Sequence, residues 1–259
     1  MDESVIDINQ LDTSTAVRKE AFTVEVQNCD TEARMTPAGI ADHFQVAASR
    51  HAKEHGFGFS DLGSKNQVFV LSRLGFRVHS LPRYAERVKL YTWTPGNKRL
   101  FAMRNFIILR ENGEVAVAGD SAWILMDTQK MRPIRTDSFF KVFPLYGNIE
   151  NDILTEKIDA VTDGTEVRKF SVPYTHMDIN GHVNNARYIE WFINCYPLKH
   201  HLENSVARFR INYLSEVKAD KEIVIMGDNM AYSTNSPNRF DAIADAKPVC
   251  RAEISWILR

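Results

Sequence analysis

Two similar series of hydrophobic and polar positions follow one another along the chain, and each begins with a helical pattern. In the first series, Thr36-Pro37 predicts a helix start, and apolar residues recur at helical spacing until Gly56. In the second series, the helical pattern begins near Val183 and ends at Pro197. The apolar faces consist of Ile40, Phe44, Ala47, Ala48 and His51 in the first helix, and Val183, Ala186, Ile189, Trp191 and Cys195 in the second.

Runs rich in β-branched and aromatic residues follow each helical pattern. They predict strands at 68–78, 88–93, 100–109 and 115–125 in the first series, and at 207–214, 222–226, 239–245 and 249–258 in the second. Asn112-Gly113 predicts a hairpin turn between two of these strands. A long helix can bury its apolar face only against such a sheet, so an α+β arrangement is expected twice.

Three sequence blocks recur in the same order and indicate a duplicated unit. Residues 22–30 align with 170–178, residues 76–81 with 209–214, and residues 99–125 with 239–258. A period of about half the chain indicates two domains and not a solenoid. We expect a first domain at 1–130, a linker at 131–163 and a second domain at 164–259. Aromatic and aliphatic residues between 139 and 145 predict that the linker packs along the domains.

Three polar residues at alternate positions directly precede the second helical pattern. They are Asp178, Asn180 and His182, separated by Ile179 and Gly181. The start of a helix has free backbone N–H groups and the positive end of the helix dipole. An ester or thioester carbonyl that becomes an oxyanion needs such surroundings.

The segment 178–191, Asp-Ile-Asn-Gly-His-Val-Asn-Asn-Ala-Arg-Tyr-Ile-Glu-Trp, resembles the active-site motif of the acyl-acyl carrier protein (acyl-ACP) thioesterases. Asn-Tyr-Leu-Ser-Glu-Val at 212–217 resembles a second block of that family. The resemblance covers nearly the whole chain and implies a tandem hotdog fold, two α+β units that form a pseudo-dimer within one chain. It also implies a hydrolase that cleaves fatty acyl-ACP to free fatty acid at the end of fatty acid synthesis, without a metal or organic cofactor.

The same resemblance implies a catalytic set of Asp178, Asn180, His182 and Glu216. Asp178 is expected either to activate water or to attack the carbonyl directly, and Glu216 to orient or activate water. His182 would position the carboxylate or protonate the leaving thiolate. Backbone N–H groups of Val183 and Asn184 are expected to bind the oxyanion.

Comparison of the two copies separates these residues from the common scaffold. In the alignment, Asp178 matches Asp30, Asn180 matches Glu32, His182 matches Arg34, and Glu216 matches Arg83. A helix cap would be needed in both copies, so the shared aspartate is expected to be partly structural. The residues found only in the second copy favour a catalytic role, which predicts one active site per chain.

An acyl chain needs an apolar slot, which the resemblance assigns largely to the first copy. Its expected walls are the helix at 37–56 and the strand at 68–74. The candidate residues are Phe44, Ala48, Val70, Tyr188 and Trp191. The same residues equally suit an ordinary core.

Composition narrows the class of protein and its surroundings. Hydrophobic residues make up 44% and charged residues 25%, as in soluble globular proteins, and no apolar run is long enough to span a membrane. A net charge of −1 gives no general case for binding nucleic acid. The acidic start is unlike a signal or transit peptide, so we expect a bacterial cytoplasmic enzyme.

An acidic carrier protein would need a local basic patch as its docking site. Two clusters are candidates, Arg83, Arg87 and Lys89, and Arg168, Lys169, Arg208 and Arg210. Ordinary solvated strand faces are the favoured interpretation of both clusters, because charged residues are common on protein surfaces.

The cysteines do not support a thiol mechanism. Cys29, Cys195 and Cys250 lack metal-type spacing and are expected to be reduced and buried. Cys195 is thirteen residues from His182 in the sequence, ~20 Å along a helix.

Other functions share the same fold. An acyl-CoA thioesterase would use the same chemistry on a different leaving group, and a hotdog dehydratase would catalyse a different reaction. A non-enzymatic acyl-binding regulator is the third possibility, although the two repeats leave no segment for a partner module. The oligomeric state stays open.

Overall fold

The computed structural model describes residues 11, 14–137, 139–147, 156–228 and 236–259. The chain divides into two compact units, residues 1–72 with 78–154, and residues 73–77 with 155–259. Residues 73–77 group with the second unit because they pair with one of its strands. Of the predicted linker at 131–163, the described residues up to 147 group with the first unit and those from 156 group with the second.

The first unit combines one long helix with an antiparallel sheet. Its elements are β1 (Val17–Thr23), α1 (Pro37–Glu54), α2 (Phe59–Gly63), β2 (Gln67–Val78), β3 (Arg87–Lys98), β4 (Phe101–Arg110), β5 (Val115–Asp127) and β6 (Arg132–Pro133). The strand order is β1-β3-β4-β5-β2, and β6 pairs with β5. The predicted start of α1 is confirmed, because the Thr36 side chain accepts the N–H of Gly39 at 3.1 Å and Pro37 follows it.

The core of the first unit lies between α1 and the sheet. All five residues of the predicted apolar face of α1 are buried. Phe44 of α1 stacks on Phe106 of β4, with ring centroids 4.3 Å apart. Such fully buried side chains each contribute about 1.5–3 kcal/mol to the free energy of unfolding.

Aromatic residues of the predicted linker belong to this core. Phe139 and Phe143 are buried and stack on each other at 4.8 Å. Phe139 also contacts Phe57 at 4.5 Å and Phe69 at 5.2 Å. The prediction that the apolar segment packs against a domain is confirmed for these two residues.

The second unit repeats the arrangement of the first. Its elements are β7 (Thr165–Ser171), α3 (Asn185–Ile193), α4 (Leu198–Glu203), β8 (Asn204–Tyr213), β9 (Glu222–Gly227), β10 (Asn238–Ala244) and β11 (Lys247–Leu258). Residues 73–77 come first in its strand order, followed by β8-β11-β10-β9-β7. Phe192 of α3 packs on Phe240 of β10 at 5.8 Å.

Helix α3 differs in length from the prediction. It begins at Asn185, after the cap residue Asn184, which agrees with the predicted start near Val183 to within two residues. It ends at Ile193, before the residue Pro197 that was expected to terminate it. In the described part of the chain, no helix combines the length and the apolar character that a membrane span requires.

Candidate active site

The loop between β7 and α3 is closed by the carboxylate of Asp178. Its Oδ1 accepts the N–H of Asn180 at 2.8 Å and the N–H of His182 at 3.3 Å. Its Oδ2 accepts the side-chain amide of Asn180 at 3.2 Å. Asp178 N–H donates to the His182 carbonyl at 2.8 Å, and Gly181 takes a φ of +75° that favours glycine. The loop therefore brings three of the predicted site residues together.

The fourth predicted site residue, Glu216, reaches this loop from the segment after β8. Its Oε2 lies 3.1 Å from Nε2 of His182. The backbone joins the same two segments, because Val183 N–H donates to the Val217 carbonyl at 2.9 Å. The glutamate is more exposed than the histidine, with 62% of its side chain accessible against 29%. A carboxylate held on Nε2 favours the imidazole tautomer that leaves Nδ1 free to accept a proton.

The backbone groups predicted to bind an oxyanion are both occupied. Val183 N–H bonds to Val217, and Asn184 N–H donates to the His176 carbonyl at 2.9 Å. The Asn184 side chain caps α3 by accepting the N–H of Ala186 at 2.9 Å. In this conformation, neither predicted N–H is available to a substrate carbonyl.

The first copy contains the same loop without the same chemistry. Oδ1 of Asp30 accepts the N–H groups of Glu32 at 2.9 Å and Arg34 at 3.0 Å, and Asp30 N–H donates to the Arg34 carbonyl at 2.8 Å. The shared aspartate therefore has the expected structural role in both copies. In the first copy, however, Oδ2 also accepts the Arg34 guanidinium at 2.7 Å.

The electrostatic surroundings of the two aspartates differ. Burial raises the pKa of Asp30, but the hydrogen bonds from Arg34 and the backbone outweigh it and hold this pKa below its usual value. Among the described residues, no cation pairs with the Asp178 carboxylate. The carboxylate of the second copy is therefore available for chemistry, whereas that of the first copy is neutralised.

The structure corrects the alignment of Glu216 with Arg83. In the first copy, Ser80 N–H donates to the Ala116 carbonyl, and Ala85 N–H donates to the Val24 carbonyl. The equivalent donors in the second copy are Ser215, which bonds to the Val249 carbonyl, and Asp220, which bonds to the Val172 carbonyl. Leu81 is consequently the counterpart of Glu216. Counted from Phe76 and Phe209, the second copy has two more residues before this shared geometry. The contrast between the copies persists, because leucine has no carboxylate.

Two residues predicted to line the acyl slot lie in the core of the second unit. Tyr188 and Trp191 are each 3% exposed and pack together at 4.5 Å. Trp191 Nε1–H donates to Nδ1 of His176 at 3.1 Å. Burial raises the pKa of the Tyr188 hydroxyl. Neither side chain lines the groove beside Asp178, which is formed by Tyr174, Thr175, Met177, Asp178, Gly181 and Ala219.

An apolar cavity of about 160 Å³ lies inside the first unit. Ala48 of α1, one of the residues predicted for the acyl slot, lines it. Phe44 does not, because its ring is fully buried against Phe106. Val70 is absent from the lining, although its neighbours Val68 and Phe69 contribute to it. The expected helix and strand therefore both form walls of the cavity.

Cys195 and Cys250 are buried, as expected, and are unsuited to nucleophilic catalysis, whereas Cys29 is only partly buried, contrary to the expectation. Burial raises the pKa of the Cys195 thiol to about 12, and it raises the pKa of Cys250 well above its usual value. Cys195 Sγ–H donates to the Trp191 carbonyl at 3.3 Å. These environments stabilise the protonated thiol.

Some participants in the site were not predicted. The carbonyls of His176 and Val217 hold Asn184 and Val183, and the His176 ring holds Trp191. A backbone acceptor leaves no signal in side-chain patterns.

Two large side chains beside Asp178 are exposed: Ile179 exposes 92% of its surface and Tyr174 exposes 85%. Within the described residues, no grouping of three or more histidine, cysteine, aspartate or glutamate side chains could hold a metal ion.

The chain is similar to one known protein family, and to several proteins of that family, over most of its length. The model of the acyl-ACP thioesterase N-terminal domain matches residues 15–141, and that of the C-terminal domain matches residues 159–258. The palmitoyl-acyl carrier protein thioesterase of Gossypium hirsutum is 22% identical over 240 residues, 84% of this chain and 58% of that protein. Oleoyl-acyl carrier protein thioesterase 1 of Arabidopsis thaliana is 24% identical over 69% of this chain and 54% of that protein. The chain thus spans little more than half the length of these relatives.

Solved structures share the fold. An acyl-ACP thioesterase from Bacteroides thetaiotaomicron has a TM-score of 0.85 and 25% identity, over 93% of this chain and 98% of that chain. The 12:0-ACP thioesterase from Umbellularia californica has a TM-score of 0.83 and 19% identity, over 95% and 99%. These similarities confirm the α+β tandem hotdog fold.

Proposed function

Since the chain belongs to the acyl-acyl carrier protein thioesterase family, we propose that it hydrolyses a fatty acyl-ACP to free fatty acid and carrier thiol. The observation that supports this function best is the His182–Glu216 pair, 3.1 Å apart, beside an Asp178 carboxylate that no described cation neutralises. Hydrolysis of a thioester needs an activated water, a donor for the oxyanion and a proton for the leaving sulfur.

The proposed reaction assigns proton transfer to His182. Glu216 accepts Nε2–H, so Nδ1 takes a proton from water or delivers one to the leaving thiolate. The water oxygen bonds to the acyl carbon, the carbon–sulfur bond breaks, and sulfur receives the proton. Asp178 either shares the activation of water or attacks first to form an anhydride that water then opens. Both routes are compatible with its hydrogen bonds.

We assign the oxyanion to the side chain of Asn180. Its amide uses one N–H on Oδ2 of Asp178, at 3.2 Å, and has a second N–H to offer. The amide replaces the backbone groups of Val183 and Asn184, which bond to other carbonyls. Loss of one oxyanion donor typically lowers kcat by about 10²–10³.

The proposed partner is an acyl carrier protein, with its acyl chain in the apolar cavity of the first unit. Ala48 and Phe69 contribute to that cavity, and each buried CH₂ contributes about 0.8 kcal/mol to binding. The names of the relatives include palmitoyl, oleoyl and 12:0 substrates, so family membership leaves the chain length open. A carrier-bound substrate of fatty acid synthesis is consistent with a cytoplasmic reaction.

Thiol release from acyl-ACPs of graded chain length, with acyl-CoAs of the same lengths alongside, tests the proposal. We expect faster turnover of acyl-ACP, with one preferred range of chain length. Faster turnover of acyl-CoA would keep the chemistry and assign the acyl-CoA thioesterase function. Absence of thiol release from both series would refute hydrolysis and favour the dehydratase or acyl-binding functions.

A further inference from the structure

Arg104 is a buried cation in the wall of the apolar cavity of the first unit. It lies on β4, is 7% exposed and lines the cavity. Its Nη1 donates to Nδ1 of His51 at 2.9 Å and to the Thr92 hydroxyl at 3.3 Å, both of them neutral groups. Nε and Nη2 have no acceptor among the residues that the structure describes.

No carboxylate among the described residues compensates the charge of Arg104, and the Phe143 ring, whose centroid lies 5.9 Å from its Cζ, supplies only a weak cation–π contact. Burial lowers its pKa to about 10, with no opposing contribution from a carboxylate, so the guanidinium is still charged at neutral pH. Other largely buried arginines differ. Arg251 lies 3.3 Å from Asp241, and Arg210 lies 2.9 Å from Glu253. An uncompensated buried charge costs several kcal/mol, so a cavity that contains one is expected to bind an anion.

His51 supplies a second donor without an acceptor in the same cluster. Arginine can only donate, so Nδ1 of His51 accepts from Arg104 and the ring proton resides on Nε2. Nε2 is buried and has no partner among the described residues, and the whole side chain is 1% exposed. Burial and the nearby guanidinium lower the pKa of His51 to about 3, which keeps the ring neutral.

Most of the remaining lining of the cavity is apolar and suited to hydrocarbon, with Gln45, Ser49 and Thr94 as its other polar members. Ala48, Ala52, Phe69 and Trp123 form part of its lining. Its volume is about 160 Å³. An apolar cavity of about 150 Å³ holds a molecule the size of benzene, so about six carbon atoms fit.

We propose that this cavity binds an aliphatic monocarboxylate of about six carbon atoms, with its carboxylate on Arg104 and its hydrocarbon against the apolar wall. A carboxylate accepts the two free donor positions of the guanidinium in a planar, bidentate contact. A neutral alcohol or amide would leave the charge uncompensated. The cavity is the one to which the proposed function assigns the acyl chain, so the identity of the bound carboxylate as product or substrate rests on that function, whereas its binding can be measured without hydrolysis.

Isothermal titration calorimetry of the full chain with hexanoate tests the site, with 1-hexanol as the matched neutral ligand. We expect saturable hexanoate binding that is weaker by about tenfold or more in Arg104→Met, since a charge-assisted pair contributes at least 1.4 kcal/mol. Arg99→Met removes an exposed arginine next to the same strand and should leave the affinity unchanged. Equal affinity for hexanol and hexanoate, or unchanged affinity in Arg104→Met, would overturn the proposal.

Thermal unfolding shows whether each variant is folded, so that a loss of binding can be separated from a loss of structure. Replacement of an uncompensated buried cation by an apolar chain is expected to maintain or raise the Tm of the unliganded protein. If Arg104→Met does not fold, Ala48→Met decides the question. This variant fills part of the cavity without altering the guanidinium, and it must weaken hexanoate binding. Undiminished binding in this variant would exclude the cavity as the site.

The carboxylate has two chemical sources, a free fatty acid or the far end of a dicarboxylic acyl thioester. Turnover of hexanoyl-ACP and of the ACP monothioester of hexanedioic acid separates them. A preference for the diacid thioester that disappears in Arg104→Met assigns the far carboxylate. Competitive inhibition by hexanoate without that preference assigns the free acid. If neither thioester is hydrolysed, the proposed function fails, but the calorimetric titration with hexanoate still tests whether the cavity binds a carboxylate.

Discussion

Nε2 of His182 and Oε2 of Glu216 lie 3.1 Å apart, although 34 positions separate the two residues in the sequence. The contact depends on a backbone bond from Val183 to Val217, which holds the loop beside the segment that follows β8. The pair therefore has a geometry built into the fold of the second unit, and its chemistry can be altered without altering that backbone.

Glu216→Gln tests the pairing. Glutamine retains an acceptor for Nε2–H but removes the charge that stabilises a protonated imidazole. We expect kcat for thiol release to fall by about 10²–10⁴, the usual contribution of general acid–base catalysis, with little change in Tm. Glu222→Gln removes another exposed carboxylate, one that pairs with Lys169, and should leave kcat unchanged. Wild-type kcat in Glu216→Gln would exclude Glu216 from the reaction.

Asp178→Asn and Asp30→Asn form a matched pair in loops of the same shape. Asp178→Asn should abolish measurable thiol release, because the amide can neither attack nor take a proton. Asp30→Asn weakens the ion pair with Arg34 and should lower the free energy of unfolding by about 1–3 kcal/mol, with kcat unchanged. Urea unfolding and steady-state kinetics measure the two effects. Similar loss of kcat in both variants would show that the loop aspartate acts only through structure.

Cys195→Ala tests the exclusion of a thiol nucleophile. A thiol with a pKa of about 12 contains on the order of one part in 10⁵ thiolate at neutral pH. We expect the variant to retain kcat and the native Cys195 to react slowly with iodoacetamide, as followed by mass spectrometry. Loss of thiol release in a folded Cys195→Ala variant would contradict the proposed mechanism.

His51 should make stability depend on pH. Its folded pKa is about 3 and its ordinary value is 6.5, so between these pH values only the unfolded chain binds the proton. Its contribution is fully present above pH 6.5 and is lost as pH falls toward 3, by up to about 1.4 kcal/mol per pH unit. Urea unfolding between pH 4 and 6 should show a slope smaller by that amount in His51→Gln, which keeps an acceptor for Arg104. The exposed His79→Gln serves as control, and an unchanged slope in His51→Gln would contradict a buried neutral ring.

Local signals in the sequence predicted the frame of the structure. Thr36-Pro37 marked the start of α1 because the cap and the proline act within one helical turn. The repeat indicated two α+β units, and the shared aspartate indicated a structural loop in both. Each of these predictions depends on residues close together in the chain or on comparison of the two copies.

Contacts between distant backbone groups could not be predicted in the same way. The N–H groups of Val183 and Asn184 were expected to be free, yet carbonyls from other segments accept both. The alignment of Glu216 with Arg83 was wrong, because the second copy has two extra residues between Phe209 and the segment that contains Glu216. Alternation along β4 also does not reveal that Arg104 is buried next to His51.

The loop built around Asp30 has the shape of the Asp178 loop but contains a salt bridge where the other has Asn180 and His182. Its fold does not depend on the reactive side chains, so a duplicated gene could lose the chemistry of one copy without losing the copy itself. The converse also holds. Glu32→Asn, Arg34→His and Leu81→Glu together would transplant the reactive set into the first unit, a starting point for engineering a chain with two centres.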